Sequence, residues 1–352
     1  MIYCENMKAR CLTDRVSAQQ TALVTANDKY SCSRSRKTAL HHAKGDGRIL
    51  KNSQRLGVVL TLLGGIMWGV CGSCGQFLFE NKGVTSGLLV PIRLTVAGTI
   101  ILLALVVCKK PIFVVWRSRK DAIEVIIFAI FGMMLCQYSY FTTIQYSNAG
   151  TATVLQYTGP AMILVYLCIR AKRLPKLFEI AALVCSVVGV FILATHGDIG
   201  SLALPPKALF WGIIAAVTLV IYNLQPVRLI DNFSTLTVMG WGMIIGGIIL
   251  TAVMRPWTMS ANWDASALAA LAFIVLFGTI AAFYCYLSGV KLVGAANASL
   301  LACIEPVAAT VVSVVWLKVR FDLIDLVGFV FIMAAVFIIS LRQVKNEKRA
   351  DG

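Results

Sequence analysis

Ten apolar stretches, each about 20 residues long, follow one another between Leu56 and Leu341, and they constrain the chain more than any other feature. They run Leu56–Phe79, Ser86–Val107, Ile123–Ile144, Ala149–Ile169, Leu177–Thr195, Ala208–Gln225, Ser234–Met254, Ala267–Val290, Ala295–Leu317 and Leu323–Leu341. Stretches of this length cross a hydrocarbon core of roughly 30 Å as helices. Lipid offers backbone N–H and C=O groups no partner, so unbroken apolar runs must satisfy them within one helix. Of the 352 residues, 59% are hydrophobic and 14% charged, more apolar surface than a soluble core can bury. The fold class expected is an all-α polytopic membrane protein with ten transmembrane helices.

The net charge of +16 does not point to nucleic acid. Residues 1–55 carry eleven Lys/Arg against four Asp/Glu and lack an apolar segment, so they read as a basic, disordered cytoplasmic tail rather than a signal peptide. A gene-start artefact, with the natural start near Ile49 or Leu50, is the alternative reading of that segment. Elsewhere basic residues cluster in short loops and set orientation. With the N-terminus in the cytoplasm, eleven fall in inner loops and five in outer ones, which expects both termini inside. Of the eleven cysteines, eight lie in or beside apolar segments, and Cys71-x-x-Cys74 has no second pair or nearby His, so packing is the expected role.

The chain also resembles itself. A shift of 146 residues aligns Tyr138 with Tyr284, Tyr140 with Tyr286, Pro160 with Pro306 and Lys172 with Lys318. Each half then holds five spans, and because five is odd the second half enters the membrane from the opposite side. The expectation is two inverted five-helix repeats, residues 56–200 and 201–345, followed by a cytoplasmic tail at 346–352. Transporters built this way carry their solute site near the midplane between the halves.

From about Leu56 to Leu341 the chain resembles the EamA-type drug/metabolite transporters, ten-helix exporters of the bacterial inner membrane. The residues that carry the likeness are Gly64-Gly65-Ile66-Met67-Trp68-Gly69, Arg93, Asn148 to Gln156 with Pro160, Thr195-His196-Gly197, Ala208 to Gly212, and Ala298 to Pro306. The resemblance is strongest to a branch assigned to carboxylate, amino-acid or amine transport. Many relatives carry an acid at an end of the fourth and ninth spans. This chain has Arg173 and Val319 there, so that role is not carried over. The resemblance implies efflux of a small metabolite across the cell inner membrane by alternating access, with coupling to protons or to exchange as open alternatives. Membrane lipid is a further partner, and a homodimer is an open alternative.

Glu305 is the leading site candidate. It is the only acid well inside a span of the second half, next to Pro306, and its counterpart at the 146 shift is Gly159. A carboxylate in hydrocarbon costs several kcal/mol unless neutral, paired or facing water. A proton or cation site is one reading, and a position near the membrane surface is the other. Arg93 sits about 10 Å into its span, where it either snorkels outward or binds a solute carboxylate. Gln156, Tyr138, Tyr140, Tyr284, Tyr286, Trp68, Gln76 and Asn297 are further candidates for lining a cavity. Interfacial anchoring or packing is the competing role for most of them. The sequence contains no nucleotide-binding loop, metal cluster or nucleophile–base set, so neither a cofactor nor enzyme activity is expected. A nucleotide-sugar-type antiporter and a membrane-embedded lipid-processing enzyme or carrier are the alternatives.

Overall fold

The computed structural model describes residues 43–196, 198, 203–293, 298 and 301–350. The tail at 1–42, Gly197 and Asn297 lie outside the described residues. Eight helices are long and apolar enough to cross a membrane, and two shorter apolar helices follow them. In chain order they are α1 Ala43–Lys82, α2 Ser86–Val107, α3 Arg119–Tyr146, α4 Ala149–Arg170, α5 Leu177–Thr195, α6 Pro206–Asn232, α7 Thr235–Met254, α8 Ala265–Val293, α9 Ile304–Val315 and α10 Leu323–Ala350. No strand occurs among the described residues.

Several boundaries differ from expectation: α6 extends to Asn232, and α10 runs on to Ala350 through most of the segment read as a tail. α1 begins at Ala43, inside the stretch read as a tail, and its apolar part starts at Gln54. In place of one span over Ala295–Leu317, the ninth segment is helical at Leu301 and Ala302, turns at Cys303 and restarts at Ile304. Pro306 contributes: it has no N–H, so the carbonyl of Ala302 has no helical donor four residues on. α4 breaks likewise at Tyr157-Thr158, just before Gly159-Pro160. α3 and α8 each contain a π-helical turn, Phe128–Met134 and Leu276–Ala281.

The helices pack chiefly as α2–α7, α5–α10, α1–α8, α3–α6, α1–α9 and α3–α7, with α4 against α6. Exchanging each helix for the one five places on maps α1–α8 onto α3–α6 and α1–α9 onto α4–α6, and leaves α2–α7 and α5–α10 unchanged. Four of the left-handed residues after helix ends obey the same spacing, while His196 and Gly83 have no such counterpart. Lys109 and Arg255 are 146 positions apart, as are Lys172 and Lys318, and all four have φ between 47° and 58°. A basic side chain there suits the negative end of the preceding helix dipole.

Lipid is as apolar as leucine, so contacts between membrane helices depend on close fit rather than on hydrophobic exclusion. α2 and α7 run antiparallel and nearly touch: a Cβ on Gly98 would lie 2.9 Å from the Ile244 backbone nitrogen, and one on Gly247 would lie 2.8 Å from that of Thr95. The main core lies among α1–α3 and α6–α8. A smaller one, with Leu155, Leu193, Phe329 and Ile332, lies where α4, α5 and α10 meet. Large apolar side chains such as Val107, Val187, Ile248 and Val330 point outward, as a bilayer-facing surface requires. At one end of α5–α10 the fold brings together His196, Asp322 and Asp325. His196 Nε2 is 2.8 Å from Asp325 Oδ1, and Asp325 Oδ2 accepts the Asp322 N–H, which ties the two helix ends.

Candidate functional site

The site is built around the break in the ninth segment. Cys303 is the N-cap of α9 and Glu305 lies in its first turn, where the partly positive helix end favours a carboxylate. The hydroxyl of Tyr157, at the break of α4, lies 3.0 Å from the Ala302 carbonyl oxygen and 3.1 Å from Glu305 Oε2. The tyrosine thus caps the carbonyl that Pro306 leaves without a donor and reaches the acid beside it. Glu305 is half-buried, as a side chain facing an internal space would be.

Glycines on α1 set the distances. Gly64 faces Tyr286 on α8, Gly65 faces Ile304, and Gly69 faces the Glu305 backbone. Trp68, between them, meets the Tyr286 and Phe283 rings, each at 5.1 Å. Gly72 admits the hydroxyl of Tyr140, which is 2.9 Å from Thr153 Oγ1. Trp68, Tyr140, Tyr157, Tyr286 and Glu305 therefore surround one region where α1, α3, α4, α8 and α9 meet.

Arg93 does not snorkel. It is 4% exposed, its Nε donates to Thr279 Oγ1 at 2.9 Å, and its Nη1 donates to Gln137 Oε1 at 3.1 Å. The guanidinium carbon sits 4.9 Å from the centre of the Phe141 ring. Thr279 lies in the π turn of α8, and its hydroxyl donates to Ile274 O five residues back. That widened turn presents its oxygen to Arg93. Among the described residues Arg93 forms no ion pair, with Glu305 or any other acid, and its Nη2 has no hydrogen-bond partner.

The remaining candidates divide. Gln156 is half-buried, and its amide donates to Cys136 Sγ at 3.6 Å. Tyr138 packs edge-on against Trp211 at 5.4 Å. Gln76 is fully engaged: its carbonyl accepts from Ala149 N–H and Ser313 Oγ, and its amide donates to Glu80. It ties α1 to α4 and α9. Tyr284 is 65% exposed and points away from the cluster. Asn297 lies outside the described residues. Thr279, Phe141 and Thr153 were not legible as site residues, because nothing in their own helices distinguishes them. The role of Tyr157 had one sequence signal: Pro306 implies an orphan carbonyl at Ala302 that needs a donor.

An all-helical bundle of this hydropathy, with a buried cation and an acid at a broken helix, is a multi-pass membrane transporter. The EamA-like transporter family matches it twice, at residues 55–195 and 206–341, and the chain belongs to that family. The uncharacterized inner membrane transporter YicL of Salmonella typhimurium is 35% identical over 85% of this chain and 99% of its own. The uncharacterized transporter YetK of Bacillus subtilis is 22% identical over 76% of this chain and 82% of its own. A chain of known crystal structure superimposes with a TM-score of 0.57 at 16% identity, over 83% of this chain and 98% of that one, which is a likeness of fold.

Proposed function

We propose that the protein is a secondary active transporter that exports a small metabolite, an amino acid, amine or carboxylate, across the bacterial inner membrane by alternating access. Its two five-helix halves form an inverted repeat, both termini lie in the cytoplasm, and protons entering at Glu305 drive the cycle. The observation that carries this reading is that the most extensive helix contacts pair up when each helix is exchanged for the one five on, α1–α8 with α3–α6 and α1–α9 with α4–α6, while α2–α7 and α5–α10 map onto themselves. Such a bundle has two equivalent arrangements of its halves, one open to each side. The double family match and the inner-membrane relative support the reading.

Arg93 supports an anionic group on the solute, and Glu305 supports proton or cation binding. Arg93 is the only fully buried Lys or Arg among the described residues, which favours a small metabolite over a nucleotide sugar with several phosphate charges. The test is solute flux into proteoliposomes loaded with a metabolite panel, with and without a pH gradient. Accumulation of one class driven by the gradient is the expected result. No flux in any condition, together with turnover of a lipid or metabolite, would replace transport by enzyme activity.

A further inference from the structure

We propose that Tyr157 is a positioning residue whose single hydroxyl proton is exchanged between Glu305 and the Ala302 carbonyl, so that proton binding at Glu305 latches the two helix breaks together. This rests on the transporter reading above. A phenol carries one hydrogen and here faces two acceptors, at 3.0 and 3.1 Å. When Glu305 is protonated, its own O–H donates to the Tyr157 oxygen and Tyr157 donates to Ala302. Every group is then satisfied, and the break of α4 is tied to that of the ninth segment. When Glu305 gives up its proton, the carboxylate is the stronger acceptor and takes the Tyr157 hydrogen. The Ala302 carbonyl then loses its donor, and Pro306 ensures that no helical N–H replaces it. The proton leaves to water or solute in the internal space, and no other bond is made or broken.

Around the crossing of α1 and α9 that holds Glu305 stand Tyr157 from α4, Tyr140 from α3 beside Gly72, Tyr286 from α8 beside Trp68 and Cys303 at its own break, with Cys71 of α1 against Gly278 and Arg93 of α2 held among Thr279, Gln137 and Phe141. Among the described residues only Tyr157 hydrogen-bonds both Glu305 and the Ala302 carbonyl. Infrared difference spectra of the full chain in liposomes, recorded during a pH titration, test the latch without a known solute. A carboxylic C=O band that titrates, vanishes in Glu305→Gln and shifts in Tyr157→Phe is expected, with a Tyr157 ring mode changing in the same titration. A Glu305 band that Tyr157→Phe leaves unmoved, or no band lost in Glu305→Gln, would overturn it. Absence of flux with the band behaviour intact would instead overturn the transporter reading.

A second observation carries a separate proposal, which also rests on the transporter reading. Lys82 and Arg228 are 146 positions apart, at the C-terminal ends of α1 and α6. Lys82 Nζ pairs with Asp264 Oδ2 at 2.6 Å, at the N-cap of α8. Arg228 Nε pairs with Glu124 at 2.8 Å, and its Nη2 pairs with Asp121, both in the opening turns of α3. With every segment crossing once, these two ends lie on opposite membrane faces, and each pair joins the first half to the second. We infer that they are the two gates of the cycle, both shut in this structure.

Hydrogen exchange on the full chain in liposomes tests the gates. Asp264→Asn raises exchange severalfold at 77–86 and 258–266 and lowers it at 119–124 and 225–232, and the double variant Asp121→Asn with Glu124→Gln does the reverse. Lys82→Met, which breaks the same pair from α1 and leaves the Asp264 cap intact, gives the same pattern as Asp264→Asn. A purely local rise, or a rise at both faces together, would overturn the proposal whether or not solute flux is found.

Discussion

The backbone of Gly69 lies against that of Glu305: a Cβ at Gly69 would fall 2.7 Å from the Glu305 carbonyl oxygen and 2.8 Å from the Ala308 Cβ. The crossing of α1 and α9 is therefore fixed at the residue that carries the half-buried acid. Because both obstacles belong to helix backbone or to its first side-chain atom, neither can turn aside. Gly69→Val is expected to push the helices apart at a cost of about 1–3 kcal/mol. A lower thermal unfolding temperature in detergent, with loss of gradient-driven flux, checks it.

Glu305→Gln keeps the shape of the side chain and removes its charge. The variant is expected to reach the membrane and to stay folded, because the amide can still accept from Tyr157. Uphill transport driven by a pH gradient is expected to vanish, while solute exchange without a gradient persists. Parallel exchange and gradient assays in proteoliposomes measure the difference, and gradient-driven flux at the wild-type rate would refute it.

Arg93 combines a fixed fork of donors with stacking on Phe141, which an ammonium cannot reproduce. Arg93→Lys is therefore expected to lose transport nearly as fully as Arg93→Gln. If the guanidinium serves a solute anion, the loss falls on half-saturating concentration for carboxylate solutes more than on amines. Flux titrations over both classes read this directly.

Asp264 accepts the hydrogen bond of the Lys82 ammonium, which holds its carboxyl well below the usual carboxylate range. A lowered folded value means that the pair's contribution is complete above the ordinary aspartate pKa of about 3.9. It fades as pH falls through the lower folded value. The stability difference between wild type and Asp264→Asn is thus expected to be constant from about pH 7 to pH 5 and to shrink below about pH 4. Unfolding midpoints of the two proteins across that range provide the check.

Gln76 is 1% exposed and uses both ends of its amide. Gln76→Leu leaves the Ala149 N–H at the start of α4 without its side-chain acceptor. A destabilisation of about 1–3 kcal/mol is expected. Flux per folded molecule changes less than for Glu305→Gln, which separates a tie between helices from a solute contact.

The candidates divide according to helix geometry. Tyr284 and Tyr286 looked like one motif, but two residues on a helix are about 200° apart, so both cannot face the same interior. The structure turns Tyr286 toward Trp68 and Tyr284 outward. Arg93 was open between surface and interior because a long side chain reaches either from the same Cα. The Thr279 and Gln137 partners, from α8 and α3, hold it inside.

The sequence by itself determined the all-helical membrane class, because backbone groups in lipid have no other solution and the apolar runs have the length to cross. It did not determine the breaks beside Pro160 and Pro306, because a missing N–H alone does not decide one: α2 runs unbroken through Pro91. What only the tertiary structure decided is which side chains share a space. Tyr157 meets Ala302 and Glu305 across 145 and 148 residues of chain. That meeting depends on how glycine-lined helices cross, and the crossing is set by steric fit between surfaces that no single segment encodes.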